Sequence, residues 1–336
     1  MPRVFRILAT ANPSQSFPAS ERPQASRVTV VIPTYNRAEL LAQTLSSVFA
    51  QQPAPSEVIV VDDGSTDGTI DYLESVDVSV LRNERGGWGP ARGRNEGFRR
   101  TSSEFVAFLD SDDLLLPGAL GRLERALEEN PAAPFAFGRC LTALKEDGRW
   151  RATGLMTVDP EEMKAPLQSL FARNFVPSVG TVARSEAVRK IGGYPQTTAF
   201  AEDHYFWLRL AQLADPVFVS LLTCVYRVHA GNRHSPTMAA REVEEYLALA
   251  REDPRLAPCI PVRLGVALCG SFTANLGPGD RGKALTSVRK NLLARRHKGE
   301  ILRAAYKHWR DRRRWVEEGL RLWDEDDELR AWLAHY

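Results

Sequence analysis

Short apolar runs and amphipathic stretches alternate along the first third of the chain. Val28–Ile32, Glu57–Val61, Val78–Leu81 and Phe105–Leu109 are rich in β-branched or aromatic residues and read as strands. Between them, Ala38–Phe49, Asp67–Ser75 and Ala91–Arg100 carry the spacing of helices. The alternation predicts parallel βαβ units wound right-handed, and strands that are continuous apolar runs predict a sheet covered on both faces. After Pro117 the regularity weakens. Gly118–Glu129 and Asp203–Ala214 read as helices, and Phe135–Ala143, Ser178–Ala183 and Val217–Val228 as strands. Beyond His234 the pattern is helical, with periodic apolar positions in Glu242–Arg251, Val262–Leu276, Lys283–Leu293 and Ile301–Trp309. The expected organisation is a flexible leader over 1–26, an α/β domain over 27–232 and a helical region over 233–336.

The strand ends carry the candidate chemistry. Phe105–Leu109 runs directly into Asp110-Ser111-Asp112-Asp113, where three carboxylates fall in four positions. Like charges that close repel unless a cation binds them, and α/β sheets hold ligands at the carboxyl ends of their strands. A divalent metal carrying a phosphorylated substrate is the first expectation. The first strand ends in Pro33-Thr34-Tyr35-Asn36-Arg37. There the proline stops the ladder and Asn36 is placed to cap the next helix. Tyr35 either belongs to that punctuation or offers a flat ring near the ligand edge. The second strand ends in Asp62-Asp63-Gly64-Ser65-Thr66-Asp67-Gly68, whose acids match an EF-hand loop in spacing. An EF-hand needs a helix before its loop and here a strand precedes it, so Thr66 or Asp67 as a helix cap is the better account.

Gly86-Gly87-Trp88-Gly89-Pro90-Ala91-Arg92-Gly93 opens a helix without being a dinucleotide fingerprint, because Arg92 stands where a glycine is required. There is no phosphate-loop lysine motif either. Arg92 and Arg94 sit where they meet phosphate oxygens or pair with neighbouring acids. Glu202-Asp203 opens a helix, a position the helix dipole favours for acids in any case. His229 ends a strand and precedes a glycine turn, which suits a structural or a ligand role.

Composition narrows the classes. The chain has 336 residues, 43% of them hydrophobic and 26% charged, as expected for a soluble globular protein with one large α/β domain and a smaller unit. A net charge of +2 gives no support to nucleic acid as a partner. Cys140, Cys224, Cys259 and Cys269 are scattered, without metal or disulfide spacing, and read as free thiols in a reducing compartment. No apolar run approaches the roughly 20 residues of a membrane span. The expected location is the cytoplasm. The basic C-terminal stretch, Arg289 to Arg314, adds the option of peripheral contact at the inner face of the membrane.

Taken in order, these segments resemble the inverting glycosyltransferases of family 2, which have the GT-A fold. The resemblance runs through Val30–Arg37, Val60–Asp67, Ala91-Arg92-Gly93-Arg94-Asn95-Glu96-Gly97 and Phe108–Asp113. It continues through Gly192-Gly193-Tyr194, Glu202-Asp203, Leu208-Arg209-Leu210 and Tyr226-Arg227-Val228-His229, covering about residues 27–232. It implies a Rossmann-like nucleotide-diphospho-sugar transferase domain, with a mixed, mainly parallel sheet and a C-terminal helical extension. It also implies a nucleotide-diphosphate sugar donor, UDP by default with dTDP and GDP as alternatives, and a Mn²⁺ or Mg²⁺ ion on its diphosphate.

By resemblance Asp63 takes the donor base, Pro33 and Tyr35 line that pocket, and Thr34, Arg37 and Ser111 join them as donor contacts. Arg92 or Arg94 approaches the diphosphate; the glycine that stands before Arg94 leaves the choice open. Asp110 faces the ribose, Asp112 binds the metal, Asp203 is the general base, and His229 helps hold metal or diphosphate. The acceptor is a sugar, a lipid-linked group or a protein, with residues between Trp150 and Phe200 shaping its site. The Q-x-x-R-W motif of processive synthases is absent, which favours addition of one sugar per encounter. Three other classes compete with this one. A binding protein on a degenerate GT-A fold is opposed by the intact set Asp63, Asp110, Asp112 and Asp203. An aspartate-based phosphotransferase is opposed by Pro33-Thr34-Tyr35 in place of its nucleophile. Nucleotidyl transfer on a similar fold stays open as an alternative, although those enzymes usually begin with a glycine-rich loop after the first strand.

Overall fold

The computed structural model describes residues 26–196, 202–229, 238–273 and 298–336. Among these, nine strands form one sheet in the order β3-β2-β1-β4-β8-β6-β9-β5, with β7 paired to β6 beyond the end of β8. The first units are as the pattern predicts: β1 (Val28–Thr34), α1 (Ala38–Phe49), β2 (Glu57–Asp62), α2 (Thr69–Leu73), β3 (Ser79–Arg82), α3 (Gly89–Phe98) and β4 (Phe105–Phe108). β1 pairs in parallel with β2 and β4, and β2 with β3. The chain therefore steps outward from β1 to β3 and restarts at β4 on the other side of β1. That reversal is a topological switch point, and the carboxyl ends of β1 and β4 flank it.

Beyond β4 the sheet becomes mixed. β5 (Leu114–Leu115), α4 (Ala119–Glu129), β6 (Phe135–Glu146), β7 (Arg149–Met156), α5 (Pro166–Ala172), β8 (Thr181–Arg184), α6 (Ser185–Ile191), α7 (Glu202–Ala211) and β9 (Val217–Val228) follow. β8 runs antiparallel between β4 and β6, whereas β6 and β9 are parallel to each other. The C-terminal part holds α8 (Met238–Glu252), α9 (Ile260–Thr273), α10 (Lys298–Glu325) and α11 (Asp327–Leu333). Gly319 lies against the Gly154 backbone, so close that a Cβ on Gly319 would stand 2.6 Å from it, and α10 thereby docks on β7. Leu329 and Leu333 of α11 join Leu114, Leu141 and Val225 in one apolar cluster.

Several expectations change. β3 is exposed along most of its length because it is the sheet edge, so coverage of both faces fails there. Ser26, placed in the expected leader, is buried and its hydroxyl donates to Glu124 Oε2 at 2.7 Å. Residues 1–25 and the helix expected over Lys283–Leu293 lie outside the described residues. The β7 strand and helices α5, α6 and α11 were not read from the pattern.

Close packing of α3 on the sheet explains its glycines. A Cβ on Gly97 would stand 2.5 Å from Val31 Cγ1 and 3.0 Å from Val61 Cγ2, and one on Gly93 would stand 3.2 Å from Pro33 Cβ. The helix that carries Arg94 can lie on β1 and β2 only because these positions lack side chains.

Candidate active site

The carboxyl ends of β1, β2 and β4 bring the predicted residues to one edge. Asp110, Asp112 and Asp113 follow β4, with ligand oxygens all within 4.8 Å of one another. Asp110 is partly exposed and Asp112 is nearly buried. Arg37, just beyond β1, is ion-paired to Asp112 Oδ2, and His229 Nε2 stands 2.9 Å from the same oxygen. Asp113 is fully buried. Burial first, then the charges of Asp112 and Asp110, pushes its carboxyl well above the usual carboxylate range.

The two arginines of α3 separate cleanly. Arg94 is buried and ion-paired to Asp110, and its Nη1 lies 3.5 Å from Glu202 Oε1. Arg92 is half-exposed, 3.7 Å from Glu96, and stacks over the Trp88 ring at 4.9 Å. The helical repeat turns Arg94 to the sheet together with Gly97 and Phe98, and turns Arg92 away. Arg94 is therefore the inward guanidinium, with Nε and Nη1 lacking hydrogen-bond partners among the described residues.

Arg94 also links the acid turn to α7. One side of its guanidinium meets Asp110, the other Glu202, the neighbour of Asp203. Asp203 Oδ2 accepts from Ser178 Oγ at 2.9 Å and from Asn174 Nδ2 at 3.4 Å, which orients its carboxylate. Aromatic packing fixes α7 on β4. Phe108 meets Tyr194 and Phe206 edge-on at 5.0 and 5.6 Å, and Tyr194 stacks on Phe206 at 4.0 Å. Asn95 holds the preceding turn, its Oδ1 accepting from Tyr194 N at 2.8 Å and its Nδ2 donating to Tyr194 O at 2.9 Å. Gly193, at φ +82°, allows that approach, since a Cβ there would meet Asn95 Oδ1 at 2.5 Å.

Other positions have partners within the protein. Asp63 accepts from Asn83 Nδ2 at 2.7 Å and from the backbone of Trp88 and Gly89 at 2.9 Å each, so in the protein itself it clamps the glycine loop before α3. Asn36 does not cap α1. It adopts φ 49°, and its Oδ1 accepts from Thr66 N at 2.7 Å. Asp67 does that work instead: its Oδ2 accepts from Ala38 N at 3.1 Å, while Oδ1 takes Thr69 N. Asp67 thus joins the starts of α1 and α2, while Asp62 accepts from Gly64 N and Ser65 N in its own turn, and no EF-hand forms. Tyr35 is 51% exposed at the rim, Pro33 is partly buried, and Thr34 and Ser111 are buried beneath it. Asn95, Thr44, Gln43 and Arg227 were not picked out as site residues.

His204, beside Asp203, has no part in the surface chemistry. It is buried, with Nε2 at 2.6 Å from the Leu170 carbonyl and Nδ1 bonded to the Tyr246 hydroxyl. Burial first, then the Arg263 charge, pushes it well below the usual histidine value. Burial, with Arg173, Arg312 and Arg263 nearby and Asp311 opposing them, lowers His308 to about 4. Both are neutral in the folded chain and take up protons on unfolding. Their stabilising contribution is complete above the unfolded value of about 6.5 and is lost as pH falls from there. The melting temperature is expected to drop between pH 7 and pH 5, and His308→Gln to recover part of the drop. A Tm that is flat over this range contradicts the assignment.

Asp110, Asp112 and Asp113 form a carboxylate cluster that could hold a hard divalent cation such as Mn²⁺ or Mg²⁺, with the His229 imidazole beside Asp112. A mixed, mainly parallel sheet with a carboxylate edge at its switch point and C-terminal helices has the GT-A fold. Comparison with known proteins agrees. The glycosyl transferase family 2 profile matches residues 29–191, and this part of the chain belongs to that family of enzymes. An uncharacterized glycosyltransferase of Haemophilus influenzae is 26% identical over 66% of this chain and 75% of its own length. The GalNAc(5)-diNAcBac-PP-undecaprenol beta-1,3-glucosyltransferase of Campylobacter jejuni is 36% identical over 34% of this chain. The pre-mycofactocin glycosyltransferase of Mycobacterium tuberculosis is 32% identical over 60% of it. The chain spans less than half the length of the last two, 38% and 42%. The first 349 residues of S. aureus TarS, solved with UDP-GlcNAc, share the fold at TM-score 0.59 and 21% identity, over 88% of this chain and 91% of that one.

Proposed function

We propose that this glycosyltransferase moves one sugar from a nucleotide-diphosphate donor, a UDP-sugar by default, to an acceptor hydroxyl with inversion at the anomeric carbon. The observation that carries this reading is the Arg94 bridge, which joins Asp110 at the end of β4 to Glu202, the chain neighbour of Asp203. The acceptor hydroxyl gives its proton to Asp203 as its oxygen bonds to C1. The C1–O bond to the diphosphate breaks on the opposite face, and the diphosphate leaves with the electron pair. Asp112 and His229 would hold a Mn²⁺ or Mg²⁺ ion, which supplies charge neutralisation for the leaving diphosphate, with Asp110 toward the ribose. Arg94 or Arg37 turns toward the same phosphates, while Pro33, Thr34, Tyr35, Asp63 and Ser111 line the nucleotide side. A single displacement inverts C1, whereas retention by double displacement would need a second positioned nucleophile. The test is donor hydrolysis over UDP-, GDP- and dTDP-sugars with Mn²⁺, followed by ¹H NMR of the freshly released sugar. An α-linked donor is expected to yield the β-sugar first. Initial release of the α-sugar contradicts the inverting mechanism.

We also infer that the acceptor is presented at a membrane surface, as a lipid-linked group. On α10, Leu302, Tyr306 and Trp309 are 57%, 64% and 42% exposed and form one stripe, bordered by Arg303, Lys307, Arg310 and Arg313. Aromatic and basic side chains side by side suit an anionic bilayer interface. No helix among the described residues is long and apolar enough to cross a membrane. Sedimentation with phosphatidylglycerol vesicles is expected to capture the protein. Replacing Tyr306 and Trp309 together with Ser is expected to release it, and equal capture by phosphatidylcholine vesicles contradicts the charge component.

A further inference from the structure

Beneath the acid turn lies a polar network centred on two buried side chains, Arg227 and Thr44. Arg227 is 1% exposed and runs from β9 under Asp110–Asp113. Its Nε donates to the Asp112 carbonyl and its Nη1 to Gln43 Oε1. Its Nη2 donates to the Leu40 carbonyl at 3.1 Å and to Thr44 Oγ1 at 3.0 Å. The Arg227 backbone N–H donates to Asp113 Oδ1 at 2.8 Å. The Thr44 hydroxyl lies 3.0 Å from the Ser111 carbonyl and 2.9 Å from that of Asp113. A single guanidinium thus ties α1, the acid turn and the end of β9 together. The extended chain sends side chains two residues apart to the same side, so Arg227 beneath the turn places His229 beside Asp112.

A simple buried ion pair is a poor account of this arrangement. The hydrogen bonds of the guanidinium all end on uncharged acceptors: carbonyls, an amide oxygen and a hydroxyl. Asp113 Oδ2 has no hydrogen-bond partner among the described residues. A charge buried on uncharged acceptors is an expensive route to stability. What those acceptors share is that they lie in the acid turn or in the helix against it.

We propose that Arg227 is a positioning residue that locks the Asp112 backbone and aligns Asp112 and His229 for a divalent cation. The proposal rests on the metal reading above, and its test separates the two. Lysine keeps the charge but offers three donors from one atom, and cannot reproduce the planar fork that spans Asp112, Gln43, Leu40 and Thr44. Mn²⁺ affinity is read from the EPR signal of the free ion, alongside UDP affinity in EDTA and the melting temperature. Arg227→Lys is expected to weaken Mn²⁺ binding about 10- to 100-fold, the scale of lost outer-shell partners, with UDP affinity in EDTA unchanged within about twofold. Thr44→Val, nearly isosteric, carries the test if Arg227→Lys fails to fold, and is expected to lower Mn²⁺ affinity by about threefold or more. A folded Arg227→Lys or Thr44→Val protein that binds Mn²⁺ as the wild type does overturns the positioning role. Wild type that binds no Mn²⁺, or that is matched by Asp112→Asn, overturns the metal reading and this inference with it.

Discussion

Asp203→Asn is expected to lower kcat by about 10²- to 10⁴-fold, the usual weight of a positioned general base, while leaving donor binding nearly unchanged. Asparagine keeps the shape and can still bond Ser178 Oγ, which lies 2.9 Å from the Asp203 carboxylate. What it loses is the capacity to accept a proton from the acceptor hydroxyl. The separation of kcat from donor affinity is the point of the experiment, since the proposed role sets Asp203 against the acceptor and not the nucleotide. Steady-state transfer and nucleotide titration on the same preparation check it. A loss of donor affinity as large as the loss of kcat contradicts the assignment.

The second large effect is on the helix that carries this base. Trp207 is fully buried one turn after Asp203, with its ring 5.1 Å from Phe135 and 4.8 Å from Phe206. Trp207→Ala is expected to cost about 3–5 kcal/mol, the range for removing a large aromatic from a core. The cavity opens between α7 and the sheet, so the Asp203 carboxylate loses its alignment before the protein unfolds. Transfer is therefore expected to fall at temperatures where the far-UV circular dichroism is still native. Denaturant melts with activity measured in parallel check this, and a loss of stability under 1 kcal/mol contradicts the packing described here.

The parallel half of the fold was legible for a physical reason. Strands covered on both faces must be apolar throughout, and Val28–Thr34 and Phe105–Phe108 are buried along nearly their whole length. β7 lies at an edge, so Arg149–Met156 mixes exposed and buried positions and shows no apolar run. Its hairpin signal, Asp147-Gly148 with φ of 49° and 75°, was present in the sequence and is the clue that identifies it. The insertion of β8 between β4 and β6 was not legible, because strand neighbours far apart in sequence leave no local mark.

The site divides in the same way. Asp110, Asp112, Asp203 and His229 stand at strand ends or helix starts, where chemistry-bearing side chains are conspicuous, and the structure brings the acid turn, His229 and α7 to one edge. The choice between Arg92 and Arg94 needed the helix to be docked, since only its orientation on Val31 and Val61 decides which guanidinium turns inward. Asn95, Thr44 and Arg227 act through partners many tens of residues away, Tyr194 for the first and each other across α1 and β9 for the rest. Nothing in their immediate neighbours announces that.

The most direct test of the central claim is nucleotide release from a panel of UDP-, GDP- and dTDP-sugars, with Mn²⁺ and with EDTA, by wild type and by Asp112→Ala. The account predicts that wild type turns over at least one donor, that EDTA abolishes the release, and that Asp112→Ala is slower by at least about 10²-fold with Mn²⁺ present. No binding or turnover of any donor by the wild type, or equal release by Asp112→Ala, would contradict a glycosyl-transfer site at the end of β4.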